Sequence, residues 1–415
     1  MISSKIRDVK IKTAMLTSIA LVLLSGVVFG LNHHLNQKGT NLKVLSPVSH
    51  SFSILSFNSK REPPKKIIYG YLPYWTINKA KYLQYDKLTH IAYFGLHIDE
   101  KGNFLKYQDG ETVPGYNNWY NNKDLPVIIQ NAKNYNVQFA LTVISHVDNV
   151  SDKFLDCREC WNTLANNIIQ ELIKKDIKDV NLNFEYAQLT PKNKAKQYTE
   201  FVDFLNKRLE AVLGESTLTV STFADSVVKD RVTEIEGLGK VADLIFIMGY
   251  DFHRPTSDTS GPVAPIGGKG VHAEYDLQTM LQDYLTVVPP NKIVLGVPYY
   301  GYNWVVEKDE EYAKRVNGQD DRGYSQSQTY ESIMETVITI KPDIKWDDLA
   351  KSPYFTYISP DTGSIRSVYY DDVDSLRAKY DLVNKLDLAG AGIWALGYDG
   401  GYEELWRLLK EEFID

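Results

Sequence analysis

The stretch KDVNLNFEYA, residues 178–187, alternates polar and apolar side chains. Its polar positions are Asn181, Asn183 and Glu185, and single apolar residues separate them. Strict alternation with a period of two is typical of a β-strand, whose successive side chains point to opposite faces. The pattern therefore predicts a strand with one apolar face and one face that carries two amides and a carboxyl group. A solvated face is the simple interpretation of these polar residues, and the rest of the chain argues against it.

Short apolar runs recur along the chain, and helical patterns lie between most of them. Besides the opening stretch, the runs are IIYGYLPYW (67–75), LTHIAYFGLHI (88–98), VQFALTVISH (137–146), LTVSTFA (218–224), ADLIFIMGYDF (242–252), KIVLGVPYYGYNW (292–304) and AGAGIWALGYD (389–399). Eight strand-like runs joined by helices predict an α/β fold, namely a closed parallel TIM (β/α)8 barrel. Periodicity does not report closure, so other α/β architectures remain open.

The predicted domain covers residues 67–415 and is longer than the roughly 250 residues typical of such barrels. The surplus falls mainly at about residues 305–375, between the seventh and eighth runs. This segment contains strand-like pieces around the turn SPDTG, which predicts a small α+β insertion between strands 7 and 8. Such an insertion would lie over the strand ends and form one wall of a groove.

The N-terminal residues differ from the rest of the chain. Four basic residues precede the uncharged run Thr13–Leu31: Lys5, Arg7, Lys10 and Lys12. The run is about long enough to cross a bilayer, and no clear cleavage site follows it. We interpret residues 1–31 as a membrane anchor with its basic end inside, and residues 32–66 as a flexible linker. A cleaved signal and a buried core helix are the alternatives. With an anchor or a signal, the bulk of the chain is extracytoplasmic.

Charge and cysteine content exclude several classes of function. Lys and Arg number 46 against 53 Asp and Glu, a net charge of −7, so no basic field predicts a nucleic-acid partner. The only cysteines are Cys157 and Cys160, in the sequence CREC. The thioredoxin-like context of a redox pair and the further soft ligands of a zinc site are both missing, so a local disulfide is predicted for an exported protein. We predict no metal and no other cofactor.

Active sites in such barrels are built at the carboxyl ends of the strands. We therefore choose the candidate site residues from the ends of the predicted strands. They are Glu185 in the fourth run, Met248, Tyr250 and Asp251 in the sixth, Tyr300 and Trp304 in the seventh, Trp394 in the eighth, and Tyr74 and Trp75 in the first. His146 and Asp225 are further candidates for contacts to a ligand. Hydrogen bonding to other side chains or to solvent is the alternative for both.

Buried amides and a carboxyl group need partners, so a polar row inside a barrel favours a site over a simple structural network. Burial raises the pKa of a Glu, and a protonated carboxyl group beside a sugar can act as general acid on a glycosidic oxygen. The amide of Asn183 can accept the N–H of an acetamido group, and the ring of Trp394 can carry the apolar face of a sugar. These residues predict an oligosaccharide or polysaccharide substrate.

Together these residues resemble the glycoside hydrolases of family 18, the chitinase-like barrels, over about residues 67–415. The fourth-strand motif of that family, D-x-x-D-x-D-x-E, corresponds to Lys178, Asn181, Asn183 and Glu185. Its sixth-strand motif M-x-Y-D corresponds to MGYD at 248–251. The segments GVPYYGYNW and GIWALGYD resemble its seventh and last strands.

The resemblance implies substrate-assisted, retaining hydrolysis of a β-linked 2-acetamido glycan. Glu185 would be the general acid/base, and the acetamido group of the substrate would attack to form an oxazolinium ion, an exception to the two-carboxylate scheme. Tyr250 would bind the acetamido oxygen, Asp251 would contact the sugar or the acid, and Trp394 would form the floor of the subsite. Asn181, Met248, Tyr74, Trp75, Tyr300 and Trp304 are the further substrate-binding candidates. Chitin, peptidoglycan and N-glycan cores all fit this chemistry.

The departure from the motif concerns its three Asp residues, none of which is present. Asn183 can hold an acetamido N–H but carries no charge to offset the positive intermediate. One interpretation is a working hydrolase, because the Asn–Glu pair is similar to that of the family 85 endo-β-N-acetylglucosaminidases. The alternative is a lectin-like barrel that binds sugar without cleaving it. A membrane-tethered scaffold that binds protein is a third class, which only the predicted anchor supports.

Overall fold

The computed structural model of the protein describes residues 64–186, 190–317 and 322–415. The predicted anchor at residues 1–31 and most of the predicted linker at 32–66 lie outside the described residues. Within the described ranges, no helix combines the length and the apolar character that a bilayer crossing needs.

Strands and helices alternate along most of the chain. The strands are β1 (Ile67–Pro73), β2 (His90–His97), β3 (Tyr107–Gln108), β4 (Glu111–Thr112), β5 (Gln138–Ser145), β6 (Asp179–Phe184), β7 (Leu218–Phe223), β8 (Leu244–Met248), β9 (Ile293–Pro298), β10 (Tyr300–Val305), β11 (Gln326–Thr329), β12 (Ile344–Asp347), β13 (Ser352–Ile358), β14 (Ile365–Tyr369) and β15 (Gly390–Trp394). The α-helices are α1 (Pro114–Asn121), α2 (Leu125–Asn134), α3 (Asp148–Asp156), α4 (Arg158–Lys175), α5 (Lys192–Leu213), α6 (Ile235–Val241), α7 (Leu277–Leu285), α8 (Tyr330–Ile340), α9 (Val373–Lys385) and α10 (Glu403–Phe413).

Eight of these strands form a closed barrel in the order β1-β15-β9-β8-β7-β6-β5-β2. Every neighbouring pair in the barrel is parallel. The prediction of a TIM-type barrel is therefore confirmed. Each predicted run contributes one barrel strand, and the carboxyl ends of all eight strands meet at one mouth.

Strand β6 shows how the alternation in the opening stretch is used. All six of its residues are buried, so neither face is solvated. The apolar face packs outward on the surrounding helices, where the ring of Phe184 lies 4.9 Å from that of Tyr198 in α5 and 6.0 Å from that of Phe154 in α3. The opposite face therefore carries Asn181 and Asn183 into the barrel interior.

A second sheet lies between the last two barrel strands in sequence. It has the order β11-β10-β14-β13-β12, and its strand pairs are antiparallel. In the sequence, these strands begin at Tyr300 and end at Tyr369. The predicted range of the insertion was about 305–375. Tyr250 and Trp394 at the barrel mouth pack against the apolar cluster of this insertion. The insertion thus borders the mouth of the barrel.

The predicted run at 292–304 is not one strand. It divides at Tyr299, whose N–H donates to the carbonyl oxygen of Trp394 at 2.7 Å. Strand β9 before this residue belongs to the barrel, and β10 after it pairs with β11 and β14. Two consecutive strands therefore belong to different sheets. An uninterrupted apolar run does not show where one strand ends and the next begins.

The predicted local disulfide is present. Cys157 and Cys160 are bonded to each other, and Cys157 precedes the first residue of α4.

Candidate active site

A cavity of about 880 Å³ opens at the carboxyl ends of the barrel strands. Its lining includes Asn183 and Glu185 from the barrel and Ser327 and Gln328 from β11 of the insertion. This volume lies within the roughly 300–1,000 Å³ of small-ligand sites. The fold therefore places one wall of a groove beside the polar row of β6.

Glu185 follows the last residue of β6, and its N–H donates to the carbonyl oxygen of Ser145 at 2.9 Å. Its side chain is 29% exposed. Burial raises the pKa of this carboxyl group, while a hydrogen bond from Asn183 and the charge of Arg254 oppose the rise and the charge of Asp251 adds to it. Glu185 therefore holds its proton to a higher pH than an exposed Glu does, as a general acid requires.

His146 is the neighbour of Glu185 at the mouth. Its Nε2 atom lies 3.4 Å from Oε1 of Glu185. Burial lowers the pKa of His146 to about 4. The imidazole is consequently neutral at neutral pH, and the contact is one between a neutral ring and a carboxyl group rather than an ion pair.

Asn183 is 3% exposed, and its Oδ1 atom has no hydrogen-bond partner among the described residues. A buried acceptor without a partner costs about 1–3 kcal/mol. Because Asn183 lines the cavity, a ligand N–H that enters it can satisfy this oxygen.

Asn181 lies deeper than Asn183 and does not line the cavity. It is fully buried, and its Nδ2 donates to Oγ of Ser221 at 3.2 Å. The hydroxyl of Tyr71 lies 2.6 Å from the same Oγ. Asn181 therefore belongs to a hydrogen-bonded network below the site, and the structure does not bring it to the cavity.

Tyr250 and Asp251 follow β8 and both line the cavity. Burial raises the pKa of Tyr250, so its hydroxyl group remains a neutral donor. Asp251 has the left-handed φ of 65°. Its Oδ1 atom accepts hydrogen bonds from the hydroxyls of Tyr300 and Tyr302. The insertion thus fixes a carboxylate at the edge of the barrel.

Aromatic rings form the floor and the rim. Trp394 and Met248 line the cavity, and the Trp394 ring meets Phe94 edge to face at 4.8 Å. Trp75 is 46% exposed and lies 6.4 Å from Trp394, ring centre to ring centre. Tyr74 packs against Trp75 at 4.8 Å. Neither Tyr74 nor Trp75 lines the cavity, and of the two only Trp75, which lies next to the lining residue Trp394, stands at its rim.

The structure differs from expectation at Trp304. Its side chain has no exposed surface, and its indole N–H donates to the carbonyl oxygen of Arg254 at 3.0 Å. The reason is that β10 belongs to the antiparallel sheet, where Trp304 enters the apolar cluster of the insertion. Tyr300, on the same strand, does line the cavity.

Comparison with known proteins identifies the family. The sequence profile described as "Glycosyl hydrolases family 18" matches residues 67–399. This chain belongs to family 18 of the glycosyl hydrolases. It is a glycosidase.

Individual relatives of this family 18 glycosidase are distant. The cortical fragment-lytic enzyme of Bacillus anthracis is 26% identical over 335 residues, which cover 79% of this chain and 68% of that protein. The spore cortex-lytic enzyme SleL of Bacillus megaterium QM B1551 has a similar structure, with a TM-score of 0.66, 20% identity, and coverage of 86% of this chain and 75% of that one. The Ostrinia furnacalis group IV chitinase bound to allosamidin gives a TM-score of 0.70, 20% identity, and coverage of 84% and 97%. These two structures share the fold.

Sequence reasoning missed some of the residues that line the cavity of this family 18 enzyme. Tyr302 and Arg254 were not candidates, and both contact Asp251. Tyr302 lies two residues after Tyr300 on β10. Because side chains alternate along a strand, this spacing could have predicted that the two residues face the same side. Arg254 lies in a loop, where no sequence periodicity predicts the direction of its side chain. Asp225 lines the cavity as a partner of Arg231, with 2.7 Å between Oδ2 and Nη2.

Proposed function

We propose that the protein cleaves β-linked N-acetylglucosamine-containing glycans by substrate-assisted, retaining catalysis, with Glu185 as the general acid/base. The observation that carries the proposal is that Oδ1 of Asn183 has no partner within the described ranges and that Asn183 lines the same cavity as Glu185. This oxygen fits the N–H of a 2-acetamido group. An acetamido group held there would stand beside a carboxyl group whose pKa burial raises.

The first step breaks the glycosidic bond. Glu185 gives its proton to the glycosidic oxygen, and the carbonyl oxygen of the acetamido group forms a bond to the anomeric carbon. Asn183 accepts the acetamido N–H, and the Tyr250 hydroxyl donates to the acetamido oxygen. The ring of Trp394 carries the sugar. The products of this step are the departed alcohol, an oxazolinium ion and the Glu185 carboxylate.

The second step restores the enzyme. The Glu185 carboxylate takes a proton from water, whose oxygen attacks the anomeric carbon and opens the oxazolinium ring. Two displacements at the same carbon retain its configuration. The sugar leaves as a β-hemiacetal with its acetamido group regenerated.

A sugar-binding barrel that does not cleave is the second candidate function. Asn183 is the observation that favours it, because an amide supplies no negative charge to the oxazolinium ion. Losing one preorganised stabiliser costs on the order of 10²–10³ in rate. The two candidates differ in whether a bound oligosaccharide survives prolonged incubation.

Substrate and location are part of the proposal. The cortex-lytic names of the relatives point to peptidoglycan, and the chitinase name of the similar structure points to chitin. The uncharged run Thr13–Leu31 supports a membrane-anchored or secreted enzyme outside the cytoplasm. The disulfide between Cys157 and Cys160 agrees with an oxidising compartment.

The test is mass spectrometry of chitooligosaccharides and of peptidoglycan fragments after incubation with the full-length chain. We expect the wild type to release products with new reducing ends and Glu185→Gln to release essentially none. Glu274→Gln is the matched control, because its side chain is 82% exposed at the cavity rim. Equal activity in wild type and Glu185→Gln would refute the assignment, and intact but bound oligosaccharides would favour the sugar-binding function.

A further inference from the structure

Three cationic side chains line the cavity within the described part of the chain: Lys229, Arg231 and Arg254. Two of them are committed to acidic partners. Arg231 binds Asp225 through Nε at 3.0 Å and Nη2 at 2.7 Å. Lys229 lies 3.3 Å from Asp225 and 3.0 Å from Glu274. The charge of each is therefore balanced by the protein itself.

Arg254 is bound differently. Its side chain is 56% exposed, and its nearest acidic contact is 3.6 Å, from Nε to Oδ2 of Asp251. The other oxygen of Asp251 already accepts from Tyr300 and Tyr302. In the part of the chain that the structure describes, no hydrogen bond occupies the terminal amino groups of Arg254. The guanidinium therefore keeps most of its five donors for a ligand.

The backbone of Arg254 is fixed although its head group is not. Its N–H donates to Oγ of Ser257 at 2.9 Å, and its carbonyl oxygen accepts from the indole of Trp304 at 3.0 Å. Trp304 has no exposed surface. The insertion core thus anchors the residue and leaves its planar fork facing the cavity, the geometry that suits bidentate binding of a carboxylate.

We propose that Arg254 binds a carboxylate carried by the glycan, which makes this site selective for acidic 2-acetamido glycans over neutral ones. The proposal rests on the proposed function, since it names the substrate class of the same cavity. Peptidoglycan supplies such a carboxylate in two places. One is the lactyl carboxylate of an N-acetylmuramic acid unit that bears no peptide, and the other is a carboxylate of the peptide, which is joined to the lactyl group through an amide bond.

The position of Arg254 connects recognition with acid catalysis. Its charge acts on Glu185 and lowers the pKa of that carboxyl group against the rise from burial. A substrate carboxylate on Arg254 offsets this charge, so the pKa of Glu185 rises when an acidic glycan binds. An acidic substrate thus favours the protonated form of the group that must donate.

The test measures binding, so that it does not depend on turnover. The full-length chain with Glu185→Gln is titrated calorimetrically with a tetrasaccharide of alternating N-acetylglucosamine and N-acetylmuramic acid. The same glycan as its methyl ester and the same glycan with its peptides attached are the two other ligands. The series is repeated with Arg254→Gln added, and with Arg231→Gln added as a control that removes one positive charge from the same cavity.

The free acid, the peptide-bearing glycan or both are expected to bind about ten- to a hundredfold more tightly than the ester. This preference should vanish with Arg254→Gln and persist with Arg231→Gln. A preference for the free acid assigns the lactyl carboxylate, and a preference confined to the peptide-bearing glycan assigns a peptide carboxylate. Equal binding of all three ligands, or a preference that survives Arg254→Gln, overturns the proposal. Absence of turnover by the wild type is a separate result, which refutes the proposed function and not this selectivity.

Discussion

The Nε2 atom of His146 lies 3.4 Å from the Oε1 atom of Glu185, where the neighbouring strands β5 and β6 end. The imidazole lies beside the carboxyl group at the barrel mouth. Burial depresses the pKa of His146 to about 4 and raises that of Glu185. Well above pH 4 the ring therefore adds no positive charge, and we infer that it contributes to the burial that raises the pKa of the acid.

His146→Ala tests this effect. Water replaces the ring, so the pKa of Glu185 falls toward its ordinary value. A general acid acts in its protonated form, so activity is lost as pH rises through this pKa. We expect the alkaline limb of the pH profile of kcat/KM to move to lower pH. His90→Ala is the control, because His90 has a similarly lowered pKa of about 4 but lies at the first residue of β2. An alkaline limb that stays in place in His146→Ala would show that the ring does not shield the acid.

Asn183→Asp adds the charge that the family motif has and this chain lacks. We expect kcat to rise on the order of 10²-fold, because a carboxylate stabilises the oxazolinium ion. The neighbouring negative charge also raises the pKa of Glu185, so the alkaline limb should move to higher pH. Initial rates over a pH series measure both effects. Asn181→Asp is the control, since Asn181 is closed off from the cavity by its bond to Ser221. A large fall in activity with Asn183→Asp would instead show that the reaction needs the amide.

Trp75 and Trp304, the last residues of two predicted runs, should affect different properties: Trp75 the binding of sugar and Trp304 the stability of the fold. Trp75→Ala removes an exposed rim ring, so we expect weaker binding of longer oligosaccharides and an unchanged melting temperature. Trp304→Ala empties a fully buried site and should lower the free energy of unfolding by about 3–5 kcal/mol. Calorimetric titration and denaturant unfolding measure the two. Equal stability of both variants would contradict the placement of Trp304 in the core.

Lys379 and Asp371 form a buried ion pair at 2.5 Å, with 0% and 1% of their side chains exposed. Lys379→Met leaves the Asp371 charge buried and uncompensated, so we expect a loss of about 3–5 kcal/mol in the free energy of unfolding. Adding Asp371→Leu should recover much of it. Lys385→Met, on the same helix α9 but 71% exposed, should cost less than about 1 kcal/mol. A loss in Lys385→Met as large as in Lys379→Met would disprove the argument from burial.

The barrel and the centre of the site were predictable because their signals are local. Alternation in β6 determines that Asn183 and Glu185 share a face, and parallel strands bring their carboxyl ends together wherever the barrel closes. Residues that depend on long-range packing were not predictable. The sequence predicts Trp304 at the end of a barrel strand. The structure shows that the chain leaves the barrel sheet at Tyr299, so Trp304 belongs to the second sheet. The backbone position of Arg254 depends on contacts with Ser257 and Trp304 that no pattern in the sequence contains.

The central claim is that cleavage with Glu185 as the acid proceeds by two displacements at the anomeric carbon, with retention of configuration, rather than by one direct attack of water. Proton NMR of the first-formed reducing end, recorded before mutarotation, tests this claim most directly. The wild type acting on a β-linked N-acetylglucosamine oligosaccharide, neutral or acidic, is expected to release the β-anomer first. Initial release of the α-anomer would contradict the account, and so would the absence of any new reducing end.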